Sequence, residues 1–228
     1  MKRSEINEIQ RNAKKFLEMH SFYLPAFAYW GPKDWASCGP ETDEIKKCML
    51  GWDITDFGSN DFYKRGLFLF TMRNGNLSSY KDKVYAEKIM IVEENQETPM
   101  HFHRFKMEDI INRGGGDLCI QLYNSTKGEA LSDEDLVVSV DGIRKNLKAG
   151  ETVRLHSGES ICLKPFLYHR FWAEGGTCLV GEVSMTNDDT ADNRFLENLG
   201  RFPKIEEDEP IMHLLSSDYP YIPNALKI

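Results

Sequence analysis

Two histidines separated by one residue, in Pro99-Met100-His101-Phe102-His103, are the strongest chemical signal in the chain. On an extended strand both side chains leave the same face, with backbone positions roughly 7 Å apart, so His101 and His103 can share one metal ion. Glu108 follows across the basic-aromatic turn Arg104-Phe105-Lys106, where the next strand can return a carboxylate to the same centre. His169, in Pro165-Phe166-Leu167-Tyr168-His169, offers a fourth ligand from a later strand. Three neutral imidazoles and one carboxylate make a mixed, moderately hard donor set that suits Mn²⁺, Fe²⁺, Co²⁺ or Zn²⁺. Four protein ligands leave two positions open on a six-coordinate ion. If adjacent, they accept both oxygens of an α-hydroxycarbonyl, and the ion works as a Lewis acid and orienting template. His20, His156 and His213 have no partner at ligand spacing and read as surface or structural residues.

One chemistry that such a centre can serve is an aldose-ketose isomerisation, in which a proton moves between neighbouring carbons through an enediol. It needs a base and often a second proton-handling group. Lys88, in Glu87-Lys88-Ile89-Met90-Ile91 on the strand before the histidine pair, and Glu182, in Leu179-Val180-Gly181-Glu182-Val183-Ser184 after His169, are the candidates. Each has an ordinary alternative: an edge lysine with its head in solvent, and an outward-facing strand carboxylate. The segment Asn187 to Phe195 is rich in side chains that bind hydroxyl groups, among them Asp189 and Asp192. It reads either as a sugar-hydroxyl reader or as a turn and helix cap.

Strands must carry these residues, and the sequence supplies them. Short β-like runs (66–72, 87–92, 118–123, 136–140, 159–163 and 177–183) are separated by turn clusters such as Arg113-Gly114-Gly115-Gly116, Asp141-Gly142 and Glu174-Gly175-Gly176. Many short strands at this spacing predict a mainly β barrel or sandwich. Ahead of them, Ile6, Ile9, Ala13, Phe16 and Leu17 recur at helical spacing, which predicts an amphipathic helix over 4–20 capped by Ser4 and packed on the outside of the fold. Residues 22–52 read as a long ordered covering loop rich in aromatics and prolines, and the tail beyond Arg194 as a short helical segment followed by Pro-punctuated coil. The expected organisation is one domain: a helix and covering loop over 1–52, a barrel core over 53–190, and a C-terminal helix and tail over 191–228.

At 228 residues, with 41% hydrophobic and 28% charged residues, the composition is that of an ordinary globular chain. A formal charge of −8 without a basic cluster argues against nucleic acid as a partner. The N-terminus mixes charges where a signal peptide needs an apolar run, and no stretch approaches the roughly 18 apolar residues of a membrane span, so the expectation is a soluble cytoplasmic protein. Five widely spaced cysteines without a Cys-x-x-Cys pair indicate neither a disulfide framework nor a thiolate zinc site.

His101-x-His103-x4-Glu108-x5-Gly114 and the stretch from Gly158 through Pro165 to His169 resemble the two cupin motifs, although the last departs from the usual Pro-x-Gly-x-x-His ending. The resemblance implies a cupin fold, a double-stranded β-helix or jelly-roll barrel. Lys88 to His103, Lys106 to Gly116, Glu182-Val183-Ser184 and Asn187-Asp188-Asp189 resemble the D-lyxose isomerase family more specifically, and that likeness extends over the whole chain. It implies interconversion of D-lyxose with D-xylulose and of D-mannose with D-fructose. It further implies Mn²⁺ on His101, His103, Glu108 and His169, proton handling by Lys88 and Glu182, and a homodimer. Trp30, Trp52 and Trp172 become candidates to wall the sugar, although such aromatics are ordinarily core. Two rivals remain: an Fe²⁺ dioxygenase on the same ligands, and a sugar-binding barrel without turnover.

Overall fold

The computed structural model describes residues 1–188 and 191–221. It is mainly antiparallel β, with strands β1 (Gly51–Thr55), β2 (Leu67–Arg73), β3 (Tyr85–Val92), β4 (Thr98–His103), β5 (Glu108–Asn124), β6 (Leu136–Val140), β7 (Ile143–Leu147), β8 (Thr152–Leu155), β9 (Ser160–Leu163), β10 (Leu167–Met185) and β11 (Asn193–Phe195). Two long strands form the spine. β5 and β10 pair along most of their length, β3 joins the second half of β10, and β4 joins its first half.

The two glycine clusters expected as turns, Arg113 to Gly116 and Glu174 to Gly176, lie inside these strands instead. The register shifts between Glu174 and Cys178 and again after Leu179. Gly114, Gly115, Gly175 and Gly176 take positive φ there. Glycine at positive φ lets a strand bulge and bend without ending. One strand thereby serves both leaves of the barrel, and β10 carries both His169 and Glu182.

Alternation along the strands sorts two cores. On β3, Met90 and Val92 face the barrel interior with Ile110 and Val180. Ile89 and Ile91 face outward and are covered by helix α1 (Arg3–Met19), whose Ile6, Ile9, Ala13 and Leu17 pack on them together with Trp52, Phe68 and Phe70. The helix begins one residue before the sequence suggested, with Lys2 in the capping position. Ser4 lies within the first turn, where its hydroxyl donates to Asp208 at 2.7 Å. The stretch expected as a covering loop holds helices α2 (Pro32–Ser37) and α3 (Asp43–Lys47), and Trp52 belongs to β1. Short prolines-and-aromatics segments hide such one-turn helices because they leave too few positions for a period to register. Among the described residues no helix is long and apolar enough to cross a membrane.

The segment before residue 221, ending in a 3-10 helix (Ser216–Tyr221), is fastened along α1 by side chains one helical turn apart. Arg3 reaches Glu207 and Asp218, Asn7 reaches Pro210, and Gln10 reaches the His213 carbonyl. The His213 ring lies parallel to Trp52, donates from Nδ1 to the Trp30 carbonyl, and accepts at Nε2 from Lys14 at 2.9 Å. Burial and the neighbouring Lys14 ammonium push His213 below its ordinary value, against the opposing effects of the Trp30 carbonyl and Asp34. A base with a depressed folded pKa takes its proton more readily when unfolded, so its stability contribution is present above about pH 6.5 and is lost as pH falls through the folded value. Wild-type protein is therefore expected to lose thermal stability more steeply between pH 7 and pH 5 than His213→Gln; parallel melting profiles would contradict this.

Candidate metal and catalytic site

The cavity that holds the expected site opens among the inner faces of β2, β3, β4, β5 and β10. Its walls are apolar at Leu67, Leu69, Met90, Ile110 and Phe171, and its floor carries His101, His103, Glu108, His169, Lys88 and Glu182. Strand register accounts for the convergence. His169 on β10 stands opposite His101 on β4, and Glu182 on β10 stands opposite Lys88 on β3. All six side chains are buried. The solvent-facing alternatives for Lys88 and Glu182 therefore do not describe where these residues lie.

Ring nitrogens of His101, His103 and His169 all lie within 4.8 Å of one another. His101 Nδ1 is 2.8 Å from the Pro99 carbonyl and His169 Nδ1 is 3.0 Å from the Leu167 carbonyl. Carbonyl oxygens only accept, so both Nδ1 atoms carry the proton and both Nε2 atoms present a lone pair. This is the outer-shell contact that orients metal-binding imidazoles. Glu108 Oε1 lies 3.3 Å from His169 Nε2 and 3.4 Å from His103 Nε2. A buried carboxylate oxygen facing an imidazole lone pair is unfavourable alone, and a cation between them satisfies both. Among the described residues His103 Nδ1 is buried without a hydrogen-bond partner, 3.8 Å from Asp192. The donor set fits a divalent ion held by the three histidines, with Glu108 placed to join them.

Burial, reinforced by the nearby His169 and His103, pushes His101 well below its ordinary value, so the ring stays neutral. Burial alone would raise Glu108, but the Lys106 ammonium 2.6 Å away outweighs it and holds the carboxyl well below its usual range. Lys106, in turn, is held charged: burial works against the ammonium, and the two carboxylates beside it prevail.

Lys106 is the residue that sequence reasoning did not single out. Its Nζ bridges Glu108 at 2.6 Å and Glu182 Oε1 at 2.7 Å. Lys88 Nζ lies 3.3 Å from the same Glu182 oxygen, and the Ser184 hydroxyl donates to it at 2.9 Å. Burial raises Glu182, yet Lys106 and Lys88 together bring it below its ordinary value. The site is therefore an alternating string of buried charges, Glu108, Lys106, Glu182 and Lys88, beside the histidine cluster. A lysine in a turn between strands ordinarily sits in solvent. The available signal was its position two residues before Glu108, on the same side of the chain.

The proposed sugar-contacting residues are placed differently. Asp192 is buried behind the site, where it accepts the backbone N–H groups of Phe105 and Lys106 at 2.7 and 3.2 Å; it holds the turn that aims Lys106. Trp30 packs edge-on against Trp35, and Trp172 donates to Glu174 beneath Arg170, so neither lines the cavity. Asp189 lies outside the described residues. Asn193 and Phe195, from the segment read as a possible sugar-hydroxyl reader, line the cavity, as does Arg201, which the sequence did not mark.

The sequence model of the D-lyxose isomerase family matches residues 1–219. The chain is 49% identical over 223 residues to the D-lyxose/D-mannose isomerase of Escherichia coli O157:H7, covering 96% of this chain and 98% of that protein. It is 47% identical, at the same coverage, to the D-lyxose/D-mannose isomerase of Serratia proteamaculans. In fold it is similar to the L-ribose isomerase of Cellulomonas parahominis solved with L-ribose, at a TM-score of 0.59, 14% identity, and 90% and 98% coverage of the two chains. Those cupin-like neighbours match the mainly β barrel with its N-terminal helix, and the family match, taken with the relatives at nearly half identity, means that the chain belongs to the D-lyxose isomerase family.

Proposed function

We propose that this protein is a metal-dependent aldose-ketose isomerase acting on D-lyxose and D-xylulose, and on D-mannose and D-fructose, by proton transfer through an enediol. The observation that carries the reading is the meeting, in one buried cavity, of three metal-competent histidines with a carboxylate braced by two ammonium groups. His101, His103, Glu108 and His169 would hold the ion, Mn²⁺ by family likeness. When bound, the ion supplies Lewis-acid polarisation of the sugar's neighbouring oxygens.

The protein's own groups account for the proton path. Glu182 Oε1 is taken by Lys106, Lys88 and Ser184, so Oε2 is the oxygen left to meet a substrate. As a carboxylate it takes the carbon-bound proton next to the carbonyl and returns one to the neighbouring carbon. Lys88 and Lys106 offset the charge that develops on the enediol oxygens, and Lys88 passes the proton between them. The apolar walls exclude water, which strengthens each of these charge interactions.

The reading includes a homodimer. Tyr85, Val183 and Met185, exposed on the paired strands β3 and β10, with Met107 exposed just before β5, offer an apolar face for the second copy. Five free thiols fit a reducing cytoplasm. Protein stripped with a chelator is expected to form no ketose from D-lyxose or D-mannose and to regain turnover on adding Mn²⁺. Oxygen consumption with Fe²⁺ and no ketose would favour the dioxygenase instead, and sugar binding without turnover under any metal would favour a non-catalytic barrel.

A further inference from the structure

A second cavity lies beside the first, with a mixed lining in which the polar Asp53, Thr71, Asn74 and Asn187 stand among the apolar Met49, Leu77 and Phe202. Two links make the cavities neighbours. Thr71, in the second, stands opposite Lys88, in the first, across β2 and β3. Arg201, which lines the first, is bound by Asp53 of the second through two contacts, Nη1 to Oδ1 at 3.2 Å and Nη2 to Oδ2 at 2.5 Å. Asp53 and Arg201 are both about nine-tenths buried, and a two-pronged pair of this kind fixes the guanidinium in place and direction.

We infer that the Asp53–Arg201 pair is the partition that sets how long a sugar the reaction cavity takes. Arg201 is the wall that meets the sugar's far end, Asp53 is the positioning residue behind it, and the inference rests on the sugar-isomerase reading above. Asp53 does not line the reaction cavity and acts only through Arg201. The compartment beyond the partition offers hydrogen-bonding side chains at Thr71, Asn74 and Asn187 beside apolar surface. Shortening Arg201 joins the compartments and gives the extra hydroxymethyl group of a hexose room to lie.

The test compares kcat/KM for D-mannose and D-lyxose in metal-loaded wild type, Arg201→Ala, Arg201→Met and Asp53→Asn, with a melting profile of each variant. Arg201→Ala is expected to raise the mannose-to-lyxose ratio about tenfold, the scale on which a pocket separates substrates differing by one carbon. Asp53→Asn, in which the arginine remains but loses its ion pair with Asp53, moves the ratio the same way by less. Arg201→Met, which keeps the bulk, leaves the ratio close to wild type. Binding of the inert polyols D-mannitol and D-arabinitol, measured by calorimetry, follows the same order. A folded Arg201→Ala or Asp53→Asn protein that loses activity on both sugars by the same factor, with an unchanged polyol ratio, overturns the partition and leaves the pair a structural brace. Wild-type protein converting neither sugar would instead bring down the reading on which the inference stands.

Discussion

Glu182→Gln is expected to lower kcat on D-lyxose by about 10²- to 10⁴-fold, the usual worth of a general acid-base group, with a much smaller change in KM. The amide has the size of the carboxylate and keeps an oxygen for Lys106 and Ser184, so the packing around the side chain is retained. What disappears is the ability to take a proton from carbon. The acid limb of the pH-rate profile is expected to vanish with it, because the wild-type carboxylate loses activity only when protonated. The Lys106 and Lys88 ammonium groups push that event to low pH after burial is overcome. A variant with kcat within a few-fold of wild type and an unchanged profile would remove Glu182 from the proton path.

His101→Ala is expected to abolish both metal binding and turnover, and the same holds for His169→Ala. The three ring nitrogens form one donor set, and two of the rings are locked by their own backbone contacts, so no neighbouring side chain can take the place of a missing imidazole. Bound metal, measured on the dialysed protein by atomic emission, should fall from about one ion per chain to background. The rise in melting temperature that the ion gives to wild type should be lost in parallel, because a ligand that binds only the folded state stabilises it by mass action. His156→Ala is the control: that ring is largely exposed and engages Asp117 on the outer surface, so metal content and activity should be retained. Full metal content in His101→Ala would mean that the ion sits elsewhere.

The meeting of His101 and His103 was legible in the sequence because strand geometry has a period of two, and that period alone puts both on one face. The mainly β fold was legible from the frequency of strand-like runs and turn clusters. Two things were not. A run of glycines reads equally as a turn or as a bulge, and only pairing with β10 decides that Gly114 and Gly115 lie inside one bent strand. Lys106 stands in a turn, where local pattern predicts solvent; its burial follows from Asp192, far along the chain, which gathers the turn's backbone N–H groups and points the side chain inward. Arg201, likewise, is held at the cavity by a distant partner, Asp53 on β1. Tertiary partners of this kind leave no local trace. Tryptophan was misleading in the opposite sense: Trp52 lies in the core between α1 and β2, and Trp30 and Trp172 make contacts away from the cavity.

The most direct test of the central claim, proton transfer by the buried charges of this cavity, is isomerisation of D-lyxose in heavy water, followed by NMR over many turnovers. The account predicts progressive deuterium incorporation at C1 of D-xylulose and at C2 of the recovered D-lyxose, because a proton held on Glu182 between the two carbons exchanges with solvent during repeated cycles. Complete equilibration of the two sugars with no deuterium on either carbon would contradict it, and would mean that hydrogen crosses directly from carbon to carbon without resting on the carboxylate.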